Sequence, residues 1–307
     1  MGTQRSFEPG VDPSRARLAA GGGFGPYRAV IFDWDGTLMD STHHITGALI
    51  EACRDLGLRE PTVQEAGWVI GLSLQAALYR LLPDLHADRV DAFIERYKTH
   101  FRELQHDIVL FEGQMTLLRE LRGSGTILGV ATGKSRRGLD ATIERLGLQS
   151  VFDATRCADE ARGKPDPDML EQLMVELALA PGEVIMVGDT THDIQMAHAA
   201  HVDSLAVAYG AHSLAELESV RPSALVRTVP EMQAWIRGHV APGEVIMVGD
   251  TTHDIQMAHA AHVDSLAVAY GAHSLAELES VRPSALVRTV PEMQAWIRGH
   301  AAPGAGR

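Results

Sequence analysis

Apolar and polar positions follow two different rhythms along this chain. A short apolar run, YRAVIF (27–32), stops abruptly at Asp33 and predicts a buried strand. From Ser41 to about Leu110, apolar residues recur instead at three- and four-residue spacing, in HHITGALIEACRDLGL, SLQAALYRLL and RVDAFIERYKTHFREL. That spacing predicts a helical block of roughly seventy residues with no strand in it. After Gly113 the two rhythms alternate. MTLLRELRGSG, RGLDATIERLGL, DPDMLEQLMVELAL and THDIQMAHAA predict helices, and TILGVAT, FDATRCADE, EVIMVGD and SLAVAYG predict strands. Strands alternating with helices imply βαβ units and a parallel sheet. The helical block, 41–112, is then inserted after the first strand of a discontinuous α/β domain, 27–40 with 113–239. Residues 1–26, rich in Gly and Arg, read as a flexible leader.

The pattern then recurs. Residues 180–239 reappear at 241–300 without a mismatch, an offset of 61. Two identical copies do not suggest a solenoid, which needs several units that drift in sequence. Only one EVIMVGD strand can lie beside the first strand. Copy one is reached from the preceding helix by about five residues and copy two by about sixty-five, so closing the longer loop costs about 2 kcal/mol more. Copy one is therefore expected in place, favoured on the order of thirtyfold. Residues 240–307 become surplus, with apolar strands that have no sheet to join. They are expected to pack poorly, or to swap between chains and carry Asp250 into a neighbouring site.

The candidate chemistry sits where strands end. Asp33 follows the first predicted strand, Thr132 ends the second, and Asp189 follows VIMVG. Open parallel sheets bind ligands at the carboxyl ends of their strands, so these residues should meet at one edge. Lys164, in the loop RGKPDPD, can join them. Carboxylates, a hydroxyl and an ammonium together offer a divalent-metal site beside a phosphate site. DWDGT places two carboxylates about Gly36, a residue that permits a sharp turn between them. A calcium-binding loop begins similarly, but its glycine comes later and a helix precedes it. Taken singly, the others have plainer readings: Thr132 and the Asp and Thr of GDTTHD as helix caps, Lys164 as a solvated cation. Their common placement, in order, argues for chemistry.

DWDGT, VATGKS, the lysine of GKPDP, and GDTTHD, in that order and strand context, resemble the four motifs of the haloacid dehalogenase-like hydrolase superfamily over about 27–239. The helical insert resembles the family's helical cap, and the overall pattern, VIGLSLQAAL included, is similar to phosphoglycolate phosphatase-like members. The resemblance implies a Rossmann-like parallel-sheet core with an inserted all-helical cap, followed here by the duplicated segment. It implies a Mg²⁺-dependent phosphatase in which Asp33 attacks phosphorus to form an aspartyl-phosphate. Asp35 would protonate the leaving alcohol and then activate water. Thr132, Gly133 and Lys164 would hold the phosphoryl group. Asp33, Asp35 (through its backbone carbonyl) and Asp189 would bind the metal, with Asp193 in support. An acid at position 35 separates this chain from the family's dehalogenases and transport ATPases. Two alternatives stay open: a sugar phosphomutase of the same fold, and a non-catalytic binding protein.

Composition narrows the partners. The formal charge of −13 disfavours nucleic acid and anionic lipid as partners, and the resemblance implies a small phosphorylated metabolite as substrate. No apolar run approaches a membrane span, and two cysteines, Cys53 and Cys157, point to a reducing cytoplasm. Fifteen histidines invite a metal reading, but His192, His198 and His201 are expected on a helix surface, and His43 and His44 at a solvated helix start. Lys134, Arg136 and Arg137 could attract an anion; a solvated helix start is the expected role. The SLQAAL stripe is expected to form cap core.

Overall fold

The computed structural model describes residues 27–104, 106–240, 246–260 and 264–300. The leader expected over 1–26 lies outside them.

Strand β1 (Ala29–Phe32) is followed by four helices: α1 (Thr42–Asp55), α2 (Val63–Trp68), α3 (Leu74–Leu81) and α4 (Val90–Leu104). The chain enters and leaves this insert side by side. The amide of Asp40 donates to the Val109 carbonyl at 2.9 Å, and that of Phe111 to the Leu38 carbonyl at 3.0 Å. Helix α5 (Gln114–Gly123), β2 (Ile127–Thr132), α6 (Arg136–Leu146), β3 (Ala154–Cys157), α7 (Asp168–Glu176), β4 (Val184–Gly188), α8 (Thr191–Ala199) and β5 (Asp203–Val207) then alternate. Helix α9 (Leu214–Ser219), β6 (Ala224–Val226) and α10 (Val229–His239) complete this part of the chain. Six strands form one parallel sheet in the order β3-β2-β1-β4-β5-β6. β6 has only three residues, too few for a recognisable alternation, and the sequence pattern does not announce it.

Both faces of the sheet are covered, which is why its strands read as unbroken apolar runs. Val30, Phe32, Leu128, Val130, Ile185 and Val187 face one side with Leu117, Leu118, Met232 and Ile236. Ala29, Ile31, Val184 and Met186 face the other with Met169, Leu173, Met196 and Ala197. The insert has its own core, centred on Leu49, Cys53, Leu78 and Phe93. In register, Phe32 lies level with Val130 and Val187, so Asp33, Thr132 and Asp189 emerge at one edge.

Residues from Pro242 onward form a separate compact unit. Its strands were expected to lack a sheet. Instead β7 (Ile246–Gly249), β8 (Asp264–Val268) and β9 (Ala285–Val287) pair with one another in parallel, in the order β7-β8-β9. Helices α11 (Thr252–Ala260), α12 (Leu275–Ser280) and α13 (Val290–His300) accompany them. The register repeats copy one: Ile246 pairs with Asp264 as Ile185 does with Asp203. The physical reason is that the β4–β5–β6 pairings all lie within the repeated segment.

Candidate active site

Asp33 leaves β1 and is buried; its amide donates to the Val187 carbonyl at 2.8 Å. Three residues on, Gly36 turns the chain with φ +87°, and a Cβ there would lie 2.2 Å from Asp189 Oδ2, so only glycine fits. The turn delivers Thr37, whose hydroxyl donates to Asp189 Oδ1 at 2.7 Å. The amide of Ala211 donates to the other oxygen, Oδ2, also at 2.7 Å. Asp189 is thus held on both oxygens.

Lys164 reaches this edge from the loop before α7 and is buried. Its Nζ lies 2.5 Å from Asp33 Oδ1 and 2.6 Å from Asp193 Oδ1. The other oxygen of Asp193 accepts from the Thr190 amide at 3.0 Å and hydroxyl at 2.7 Å, a capping box that starts α8. Asp193 therefore serves two structural ends: it caps a helix and aims Lys164 at Asp33.

Asp33, Asp189 and Asp193 offer carboxylate oxygens within 4.8 Å of one another. Burial pushes the Asp33 carboxyl well above its usual range; Lys164 opposes this, while Asp193 and Asp189 add to it. Burial, then Asp193, pushes Asp189 up to about 7. For Lys164, burial disfavours the charged form, but Asp193 and Asp33 outweigh it and raise its pKa. Three carboxylates against one ammonium leave an excess of negative charge, and Asp33 Oδ2 is buried with no hydrogen-bond partner among the described residues. This all-oxygen, anionic donor set fits a hard divalent cation such as Mg²⁺.

Asp35 stands apart from that cluster. Its carboxylate accepts from the Ser41 hydroxyl at 2.8 Å and ion-pairs through both oxygens with Lys134 Nζ, at 3.1 and 3.2 Å. Lys134 also lies 4.9 Å over the ring of Phe101 on α4. The expectation of a solvated lysine here is therefore wrong: Lys134 bridges insert and core beside Asp35. Arg136 instead ties α6 to Glu160 and Thr155, and Arg137 is exposed. Thr132 is buried at the end of β2, and its hydroxyl accepts from the Lys134 amide at 3.2 Å. Gly133 meets the insert: a Cβ there would lie 2.5 Å from the carbonyl oxygens of Gly71 and Leu72.

The expectation for His192 also fails. It is buried, and its Nε2 lies 3.0 Å from the Trp68 carbonyl of α2, where His212 Nε2 also arrives at 2.9 Å. Burial lowers the His192 pKa. His212 had no signal in the sequence. His198 and His201 are exposed, as expected.

A family model described as haloacid dehalogenase-like hydrolase matches residues 30–207. The chain belongs to the haloacid dehalogenase-like hydrolase family. A second hydrolase model of the same kind matches residues 229–293. Over 208 residues the hydrolase is 36% identical to the protein named Probable phosphatase IndB of Dickeya dadantii, covering 66% of this chain and 90% of that one. It is 29% identical to phosphoglycolate phosphatase of Aliivibrio fischeri, covering 61% and 86%. A hydrolase structure from Pseudomonas syringae superposes with a TM-score of 0.64 at 21% identity, covering 69% and 99%, and shares the fold. The hydrolase is a phosphoric monoester hydrolase of the phosphoglycolate phosphatase-like branch.

Proposed function

We propose that the protein hydrolyses a small phosphomonoester through an aspartyl-phosphate on Asp33, with 2-phosphoglycolate the first substrate to try. The observation that carries this reading is the Asp33 carboxylate: buried, 2.5 Å from Lys164, near the Asp189 carboxylate, and with its second oxygen lacking a hydrogen-bond partner among the described residues. A carboxylate attacks an anionic phosphate only where cations screen the repulsion, and Lys164 supplies one. Asp33 and Asp189, with the backbone carbonyl of Asp35, would hold Mg²⁺, which supplies charge neutralisation for the phosphoryl oxygens.

In the first step an Asp33 oxygen bonds phosphorus as the phosphorus–alkoxide bond breaks, and Asp35 gives a proton to the departing oxygen. In the second, water attacks phosphorus, the bond to Asp33 breaks, and Asp35 takes the water proton. Ser41 and Lys134, which contact the Asp35 carboxylate, would stabilise it in the ionised form that stands between the two transfers. Thr132 and Gly133, at the end of β2, would bind the phosphoryl group. The helical insert would act as the cap over it.

The reading is tested by phosphate release from 2-phosphoglycolate and from a generic aryl phosphate, with Mg²⁺ and with EDTA. Mg²⁺-dependent turnover that disappears in Asp33→Asn is expected. Turnover that survives Asp33→Asn would overturn the nucleophile assignment, and interconversion of sugar phosphates without phosphate release would indicate a phosphomutase.

A further inference from the structure

Trp68 is the last residue of α2, and a helix's final carbonyls have no partner within it. Two imidazoles from the core end on this one oxygen. His192 Nε2 stands 3.0 Å away and His212 Nε2 2.9 Å. A carbonyl has two lone pairs, so both contacts are made when each ring donates. For His212 the tautomer is fixed independently. Its Nδ1 accepts from the Thr191 amide at 3.1 Å, so the proton sits on Nε2 and points at Trp68. The indole packs between the same groups: edge-on to His192 with centroids 4.7 Å apart, and stacked on His212 at 5.8 Å.

The turn that carries His212 also binds Asp189, which follows β4. The Ala211 amide donates to Asp189 Oδ2 at 2.7 Å, and the His212 amide to the Asp189 carbonyl at 3.3 Å. One turn therefore grips the insert with a side chain and the carboxylate with its backbone.

Copy two serves as an internal control. There the Thr252 amide donates to His273 Nδ1 at 3.1 Å, and the Ala272 amide to Asp250 Oδ2 at 2.7 Å, the same bonds at the same lengths. Yet His253 is exposed and His273 only half-buried, with ring centroids 6.2 Å apart against 5.2 Å for His192 and His212. The His212-type ring is thus set by its own turn, before any insert carbonyl reaches it.

We infer that His192 and His212 are positioning residues that latch the helical insert onto the core at the Trp68 carbonyl, in register with Asp189. The inference rests on the insert acting as a cap in the proposed phosphatase. Substrate must enter and phosphate leave between insert and core, so this latch opens and closes in each turnover. It biases the closed state, in which Gly133 and the 71–72 backbone meet. Each bond is worth between about twofold and tenfold in that equilibrium. A cap that is closed for less of the time lowers apparent substrate affinity in the same proportion.

The test is the full-length double variant His192→Ala/His212→Ala beside His192→Gln/His212→Gln, whose amides can still donate to a carbonyl. KM for a phosphomonoester and hydrogen exchange of the peptide spanning 66–72 are measured together. With both donors removed, exchange of 66–72 should quicken roughly tenfold or more while kcat holds, and KM should rise by the smaller factor by which the closed fraction falls. Exchange in β1 and β4 should not change, and the Gln pair should recover both readouts in part. Unchanged exchange at 66–72 would overturn the latch. So would equal acceleration throughout the core, which would mark the histidines as general packing. A wild-type chain without phosphatase activity would sink the enzymatic reading and leave the exchange result to stand or fall separately.

Discussion

Lys164→Met tests the electrostatics of the site most directly. The ammonium is buried between two carboxylates, 2.5 Å from Asp33 and 2.6 Å from Asp193, with all three side chains at 0–1% exposure. Methionine keeps the length and removes the charge, leaving Asp33, Asp189 and Asp193 with no cation among them. Breaking a buried ion pair by deleting one partner costs about 3–5 kcal/mol. The cost should depend on pH. Lys164 stays charged across pH 5–8, because Asp193 and Asp33 raise its pKa. The carboxylates do not stay charged: burial already lifts Asp33 and Asp189, and losing the cation lifts them further. In the variant the folded form therefore holds protons that the unfolded chain has released, and its stability falls as pH rises. Urea unfolding in EDTA should show the full loss at pH 8 and a clearly smaller one at pH 5. Added Mg²⁺ should restore part of the stability at pH 8, whereas turnover should drop by about 10²–10³, as for other lost transition-state cations or donors. An equal loss at both pH values, or one below about 1 kcal/mol, would refute the buried-charge account.

Asp189, pushed up to about 7, must give up its proton to bind a cation, so the rise in melting temperature on adding Mg²⁺ should be larger at pH 8 than at pH 6; an equal rise would place the metal elsewhere. Gly133→Ala puts a Cβ 2.5 Å from two insert carbonyls. Such overpacking costs about 1–3 kcal/mol in the closed form, so kcat/KM should fall tenfold or so while the melting temperature holds, since the insert can stand off. A chain ending at Val240 should match the full chain in Mg²⁺-dependent rate, and Asp250→Asn should leave the full chain's rate unchanged; a large drop in either would bring copy two into the site.

What could be read from the sequence was what a strand end determines. Asp33, Thr132 and Asp189 each follow an apolar run, and a parallel sheet carries the ends of such runs to one edge. Lys134 and His192 were misplaced for a common reason. Each follows a strand-end motif at a helix start, where a polar residue normally meets water, and each is buried or half-buried here only because the insert covers it. Phe101 and Trp68, the groups they meet, lie in helices whose apolar spacing describes the insert's own core and carries no information about where the insert sits. His212 was invisible for the same reason. The strands of copy two find a sheet because sheet membership is local here: β4 needs only β1 from outside the repeated segment.

Copy one begins and ends at a single place. The amide of Arg28 donates to the Glu183 carbonyl and that of Tyr27 to the His239 carbonyl, each at 2.9 Å, so neighbouring residues at the start of β1 hold both ends of the block. A gene segment encoding such a block can be copied in tandem without a spacer. The new stretch starts where the old one already finished, every earlier strand keeps its neighbours, and the first copy never has to be interrupted. Its boundaries make this stretch of coding sequence portable: it could be appended, deleted or exchanged between relatives with the reading frame as the main constraint.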